Sequence, residues 1–225
     1  MCGRFVLTAD ANTLLEAFGL DTVPVEPVPR YNIAPTQPVA VITNAEPSKL
    51  TYHRWGLIPS WAKDISIGSK MFNARAETVA EKPSFKNALK RRRCLIPANG
   101  FYEWPQKGKN PLYIHLEGSP VFAFAGLWEV WRSPDGDELQ SCTILTGEPN
   151  EFVSQFHTRQ AIILPPESYS DWLYSGEMKP EEALSMLQPY PADQMRAYEV
   201  SKAVNGAGVE GPELIAPVGG QVSLL

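Results

Sequence analysis

Apolar and polar residues alternate with a period of two along much of this chain, the spacing of strands that bury one face. Residues 3–8 (Gly-Arg-Phe-Val-Leu-Thr) read as a first strand. Residues 39–43 and 50–56 read as a hairpin across a turn at 44–48. Residues 93–97 form the next strand, Asn99-Gly100 a turn, and Phe101-Tyr102-Glu103-Trp104 opens the strand after it. Residues 112–116, 121–131 and 139–146 predict a strand meander, with turns at Gly118-Ser119-Pro120 and Pro134-Asp135-Gly136-Asp137. Residues 161–164 are a buried strand and 197–200 the last one.

Where the apolar spacing widens to three and four, helices are expected. Thr8 or Asp10 caps a short one that buries Leu14, Leu15 and Phe18. Residues 83–92 begin on a proline and end on Lys90-Arg91-Arg92, the order the helix dipole favours. Residues 149–156, 165–174 and 180–187 are the others, the second stopped by Gly176. Residues 21–38 form a proline-rich loop, a further loop runs to Lys70, and 205–211 are glycine-rich loop. With no internal repeat or linker, the pattern predicts an α+β fold, mainly antiparallel β, in one domain over residues 1–225.

Composition narrows the function classes. A chain of 225 residues can bury a sizeable core, and its 21 prolines argue against an all-helical protein. The three cysteines, Cys2, Cys94 and Cys142, show no Cys-x-x-Cys spacing, which argues against a disulfide framework and a zinc site. No signal peptide and no apolar run of membrane length is present, so a soluble, cytoplasmic monomer needing no metal or cofactor is expected. A net charge of −5 disfavours nonspecific coating of nucleic acid but leaves room for a local basic groove. The phosphate-binding, dinucleotide, zinc-peptidase and nucleophile-elbow motifs are missing.

Candidate chemistry starts at Cys2. Removal of Met1, usual before a small second residue, leaves Cys2 with an α-amine and a thiol on adjacent carbons. The amine condenses with an aldehyde to an imine, and the thiol closes on the imine carbon to a thiazolidine. The alternative is an ordinary cysteine in a first strand. Glu103, set among Phe101, Tyr102 and Trp104, is either a carboxyl with a raised pKa and a general-acid role or a wet-face residue of a strand. His157 sits where a short helix ends, two residues before Arg159: the helix end favours its charged form and Arg159 disfavours it. His53 and His115 lack an obvious catalytic partner. Asn73 and Arg75 face the same way on an extended segment, suited either to an oxyanion or to capping and a salt bridge to Glu77 or Glu81. Trp55 and Trp61 either stack on bases or serve core and loop packing, and Lys90-Arg91-Arg92-Arg93 is either a nucleic-acid contact or a solvated helix end.

Together, Met-Cys-Gly-Arg-Phe, Arg30-Tyr31-Asn32-Ile33-Ala34-Pro35, Trp55 to Trp61, Asn73-Ala74-Arg75-Ala76-Glu77-Thr78, Arg93 to Trp104, His157-Thr158-Arg159 and Val200-Ser201-Lys202-Ala203-Val204 resemble, in this order, the SRAP family, named for "SOS response-associated peptidase". The resemblance implies a twisted antiparallel β barrel-like core with several short peripheral helices and a positively charged groove. It implies binding of single-stranded DNA at abasic sites and a covalent crosslink through Cys2 to the aldehyde of the ring-opened sugar. Glu103 is then the general acid/base of ring opening, His157 a proton carrier, and Asn73 the group that orients the Cys2 amine. Arg4, Arg75 and Arg159 hold phosphates, and Pro35, Trp61 and Thr146 line the strand. The family pattern continues His-x-Arg with Met-Pro; here Gln160-Ala161 stands instead, which removes a proline constraint. The chain also reads as the minimal form without a long C-terminal extension.

The first rival reading is a cysteine peptidase with Cys2 as nucleophile, His157 as base and Asn73 or Glu103 orienting; removal of Met1 alone would look like autoproteolysis without any other cleavage. The second is a glutamine amidotransferase, which also exposes an N-terminal Cys-Gly but carries an Arg-Gly-Pro-Asp element and a synthase domain that this chain lacks. The third is a noncovalent binder of modified or single-stranded DNA.

Overall fold

The computed structural model of the chain describes residues 2–105 and 110–218. Its strands, in chain order, are β1 (Phe5–Leu7), β2 (Arg30–Ile33), β3 (Pro38–Thr43), β4 (Glu46–Trp55), β5 (Asn73–Arg75), β6 (Arg93–Ala98) and β7 (Gly100–Glu103). They continue with β8 (Leu112–Leu116), β9 (Phe122–Arg132), β10 (Glu138–Gly147), β11 (Gln160–Ala161), β12 (Ile163–Leu164) and β13 (Met195–Glu199). The helices are short: α1 (Ala11–Phe18), α2 (Ala76–Val79), α3 (Lys86–Arg91), α4 (Tyr169–Trp172) and α5 (Pro180–Ser185).

The longer strands close on themselves. β9 pairs with β10, β10 with β4, β4 with β3, β3 with β6, and β6 returns to β9. Closing the ring pairs the strand edges within it. The junctions are antiparallel except at β4–β10, a parallel seam in which Ser141 lies opposite Arg54 and Cys142 opposite Trp55. β5 also runs parallel to β10. This is the α+β, barrel-like architecture with short helices that the sequence implied. Its core is aromatic: Phe5 meets Trp55 and Phe124 edge-on, with ring centroids 5.2 and 5.9 Å apart.

A second, antiparallel sheet runs β13–β8–β7–β1–β2. The chain enters it straight from the barrel, because only Asn99 separates β6 from β7. This bend takes the place of the turn expected at Asn99-Gly100. A Cβ on Gly100 would fall 2.4 Å from the Tyr113 ring, so the crossing needs glycine. The Asn99 Oδ1 accepts the N–H groups of Thr8 and Ala9 at 2.6 and 3.2 Å, which fixes the end of β1. β1 thus lies between β2 and β7.

Several expected elements are corrected. The 21–38 loop contains β2, which forms because the Asn32 amide binds the carbonyls of Val204, Gly206 and Val209 and β1 supplies a ladder partner. The 112–146 meander is broken: β8 joins the second sheet, and only β9 and β10 form a hairpin. The 161–164 strand divides, β11 pairing with β10 and β12 with β9. The 149–156 helix is a 3-10 turn at Val153–Gln155, and 165–174 is a 3-10 turn followed by α4. The 83–92 helix begins at Lys86 and 180–187 ends at Ser185. Asp10, not Thr8, caps α1, accepting from Thr13 N–H at 2.8 Å, and Gly19 ends it at a φ of 60°.

Arg93, at the start of β6, is fully buried. Its guanidinium donates to the carbonyls of Trp172, Leu89, Lys90, Tyr174 and Gly176, gathering the ends of α3 and α4 onto the barrel.

Candidate active site

Cys2 precedes β1 and is fully buried; Met1 lies outside the described residues. The Cys2 Sγ approaches the Arg4 carbonyl at 3.7 Å. Burial, and next the negative charge of Glu103, push the thiol well above its usual pKa, so it is protonated at neutral pH.

Two strands bring partners to Cys2. β5 contributes Asn73, whose Nδ2 donates to the Cys2 carbonyl at 2.7 Å. The Asn73 Oδ1 is buried and has no hydrogen-bond partner among the described residues. β7, alongside β1, contributes Glu103. Glu103 does not lie on a wet face: it is 2% exposed, and burial pushes its carboxyl up to about 7. A group half-ionised near neutral pH can both give and take a proton.

His157 arrives from the loop between β10 and β11, with its Nε2 3.8 Å from Glu103 Oε2. Its Nδ1 lies 2.9 Å from the Arg159 N–H nitrogen and 3.0 Å from the Arg159 carbonyl oxygen. The helix expected before His157 is too short to supply much dipole, and burial, together with the nearby Arg159 charge, pulls its pKa down. A neutral ring that accepts the Arg159 N–H at Nδ1 carries its proton on Nε2, on the side of Glu103.

Arg75 is exposed at the end of β5, and Thr146, on β10, is buried directly opposite it in the ladder. The Arg159 guanidinium forks onto the Glu77 carboxylate at 3.1 and 3.0 Å and also donates to the Thr146 carbonyl at 2.9 Å. Glu77 therefore pairs with Arg159, where the sequence suggested Arg75. Arg4 donates to Asn32 Oδ1 and the Val204 carbonyl, both at 2.7 Å, and to the Asn205 carbonyl, tying β1 to the 201–206 segment. Pro35 is half-buried after β2, and Trp61 is 58% exposed on the loop after β4. Trp55 is buried in the core, and Lys90 and Arg91 are exposed at the end of α3. His53 is buried, and burial pulls its pKa down to about 4.

Gln160, the first residue of the Gln160-Ala161 departure, does structural work of its own. Its Oε1 accepts the Asn150 N–H at 2.9 Å, and Asn150 Oδ1 accepts the Val153 N–H at 2.9 Å. The loop that carries His157 is thus tied at its base by side chains. Asn150 did not stand out in the sequence, and Glu77 stood out only as a partner for Arg75, because a hydrogen bond between distant segments leaves no periodic trace. Among the described residues there is no group of three or more His, Cys, Asp or Glu side chains placed to hold a metal, and no helix long and apolar enough to cross a membrane.

The chain is 47% identical over 221 residues to the abasic site processing protein YoqW of Bacillus subtilis, covering 96% of this chain and 99% of that one. It is 34% identical over 197 residues to the abasic site processing protein HMCES of Rattus norvegicus, covering 73% of this chain and 55% of that longer one. A crystal structure of a Bacteroides thetaiotaomicron protein superposes with a TM-score of 0.86 at 26% identity, over 96% of this chain and all of that one. A second, from Bordetella bronchiseptica, gives 0.78 at 28% identity, over 89% of this chain. The family model for SOS response associated peptidase matches residues 1–207, and this chain belongs to that family, SRAP.

Proposed function

We propose that this protein processes abasic sites in single-stranded DNA by trapping them covalently on Cys2. The convergence of Cys2, Asn73, Glu103 and His157 on one buried point carries the reading, and two relatives named as abasic site processing proteins support it.

With Met1 removed, the chemistry follows from the groups present. Protonated Glu103 gives its proton to the ring oxygen of the closed sugar while its other carboxyl oxygen takes the C1′ hydroxyl proton, which frees the C1′ aldehyde. The Cys2 amine adds to that carbon and water leaves, giving an imine. The Cys2 thiol then adds across the C=N bond, its proton passing to nitrogen, and the thiazolidine closes. Asn73 Oδ1 is the acceptor available to hold the amine, and His157 carries protons to and from Glu103. Arg75, the exposed cation of the cluster, meets a phosphate, with Arg4 and Arg159 behind it; Pro35, Trp61 and Thr146 line the strand.

The peptidase reading fits less well. A cysteine peptidase needs a thiolate, whereas burial and Glu103 hold this thiol protonated.

The test uses protein whose loss of Met1 is confirmed by intact mass. Mixed with a single-stranded oligonucleotide bearing an abasic site, it gives a band that survives denaturing electrophoresis, and Cys2→Ala gives no stable thiazolidine. An adduct formed equally with undamaged DNA, or peptide cleavage with the oligonucleotide left free, overturns the proposal.

A further inference from the structure

Residues 73–77 hold two parts of the site at once. Asn73, in β5, binds the Cys2 carbonyl, and Glu77, in the first turn of α2 directly after β5, binds Arg159. The Arg159 side of this ion pair is largely buried, while Glu77 lies at the surface. Both guanidinium nitrogens engage the Glu77 carboxylate, one of them also donates to the Thr146 carbonyl, and the Arg159 side chain is only 17% exposed. A planar fork held on two sides fixes direction as well as distance. Thr146 belongs to β10 of the closed barrel, so the fork is anchored to a rigid element.

The backbone of Arg159 in turn frames the His157 ring. Nδ1 lies within hydrogen-bond reach of both the Arg159 N–H and the Arg159 carbonyl. A neutral ring with its proton on Nε2 accepts the Arg159 N–H at Nδ1, while a ring protonated at Nδ1 donates to the carbonyl. Either state is met without turning the ring, and Nε2 stays on the Glu103 side. If the Arg159 backbone shifts, that choice of tautomer is lost.

We infer that Glu77 is a positioning residue: by clamping Arg159 it sets the tautomer and orientation in which His157 exchanges protons with Glu103. This deepens the proposed trapping reaction and rests on it for the role of His157. A competing role for Glu77, as a charge that opposes phosphate binding at Arg159, predicts different behaviour from its variants.

The experiment compares the parent, Glu77→Ala and Glu77→Gln, all with Met1 removed. Nitrogen-15 spectra of labelled histidine, recorded without DNA, read the His157 tautomer, and initial crosslinking rates are measured in parallel. The parent shows one neutral tautomer, unprotonated at Nδ1. Glu77→Ala mixes both tautomers and slows crosslinking on the order of tenfold, the scale of a displaced catalytic group. Glu77→Gln, whose amide oxygen still accepts a guanidinium N–H, restores the single tautomer and most of the rate. A parent protonated at Nδ1, an unchanged tautomer in Glu77→Ala, or equal loss of rate in both variants overturns the inference. A parent with the expected tautomer and no crosslinking overturns the trapping reaction instead, since the tautomer is read without DNA.

Discussion

Asn73 is bound to Cys2 across the two sheets, amide nitrogen to carbonyl oxygen at 2.7 Å. The bond joins the strand lying along β10 to the residue that leads into β1, so Cys2 is held from the barrel side as well as by its own sheet.

Replacing Asn73 tests that tie. Asn73→Ala removes both the donor to Cys2 and the buried acceptor, and Asn73→Asp sets a carboxylate against a carbonyl. Each slows the initial crosslinking rate by roughly 10- to 100-fold, the cost of a lost and misdirected hydrogen bond at a reacting group. Circular dichroism of both variants keeps the parent β signal. A rate within twofold of the parent would remove Asn73 from the mechanism.

The rate has a defined pH profile. Imine formation needs a neutral amine, with an ordinary pKa of about 8, and ring opening needs Glu103 protonated, with a pKa of about 7. The acid titrates below the amine, so the productive pair is a minority form at every pH. The rate rises to about pH 7, is flat to about pH 8 and falls beyond it. Glu103→Gln lowers the rate and abolishes the alkaline fall. A parent rate that climbs monotonically through this range would falsify the acid role.

Stability carries two opposed pH terms. Glu103 has its pKa raised from 4.5 to about 7, so its contribution is complete below 4.5 and is lost as pH rises through about 7. His53 has its pKa lowered from 6.5 to about 4, so its contribution is complete above 6.5 and is lost as pH falls through about 4. Each is worth roughly 3 kcal/mol across its window. The parent is therefore nearly flat between them. Urea unfolding of His53→Gln shows stability falling as pH rises, and Glu103→Gln shows it falling as pH drops.

The two tryptophans beside the Gly56–Pro59 break have separate fates. Trp61→Ala leaves the unfolding free energy within about 0.5 kcal/mol, because its ring is exposed. It weakens noncovalent binding of undamaged single-stranded DNA by about 1–3 kcal/mol, the worth of one stacked base. Trp55→Ala, which empties a fully buried site against Phe5 and Phe72, costs about 3–5 kcal/mol of stability. Fluorescence-detected unfolding and DNA anisotropy separate the two.

What the sequence revealed divides along a physical line. Alternation located the strands around Phe5, Val41, Leu95 and Ile144, since burial of one face acts locally. It did not say that β8 leaves β9 for another sheet, because alternation records a face and not a partner. β2 was hidden because its stability comes from Asn32 reaching residues near 204–209. The 149–156 segment has helical spacing, but the Asn150 side chain takes the Val153 N–H and the chain makes only a tight turn. Cys2, Asn73, Glu103 and His157 were found through ordered motifs; nothing in the spacing between them encodes their meeting. Glu77 was visible as a salt-bridge residue, with the wrong arginine.

The bonds from Arg4 to Val204 and Asn205 span almost the length of the chain. On a ribosome making the protein from its first residue, the amino-thiol end emerges earliest and finds its lasting seat among the latest. Until residue 205 has been synthesised and has cleared the exit tunnel, Arg4 cannot complete its hydrogen bonds, and the stretch behind Cys2 stays loose. Enzymes that strip methionine act on such loose ends. In the proposed reaction, reactivity toward aldehydes then matures with the last part of the fold, after the terminus has been open to processing.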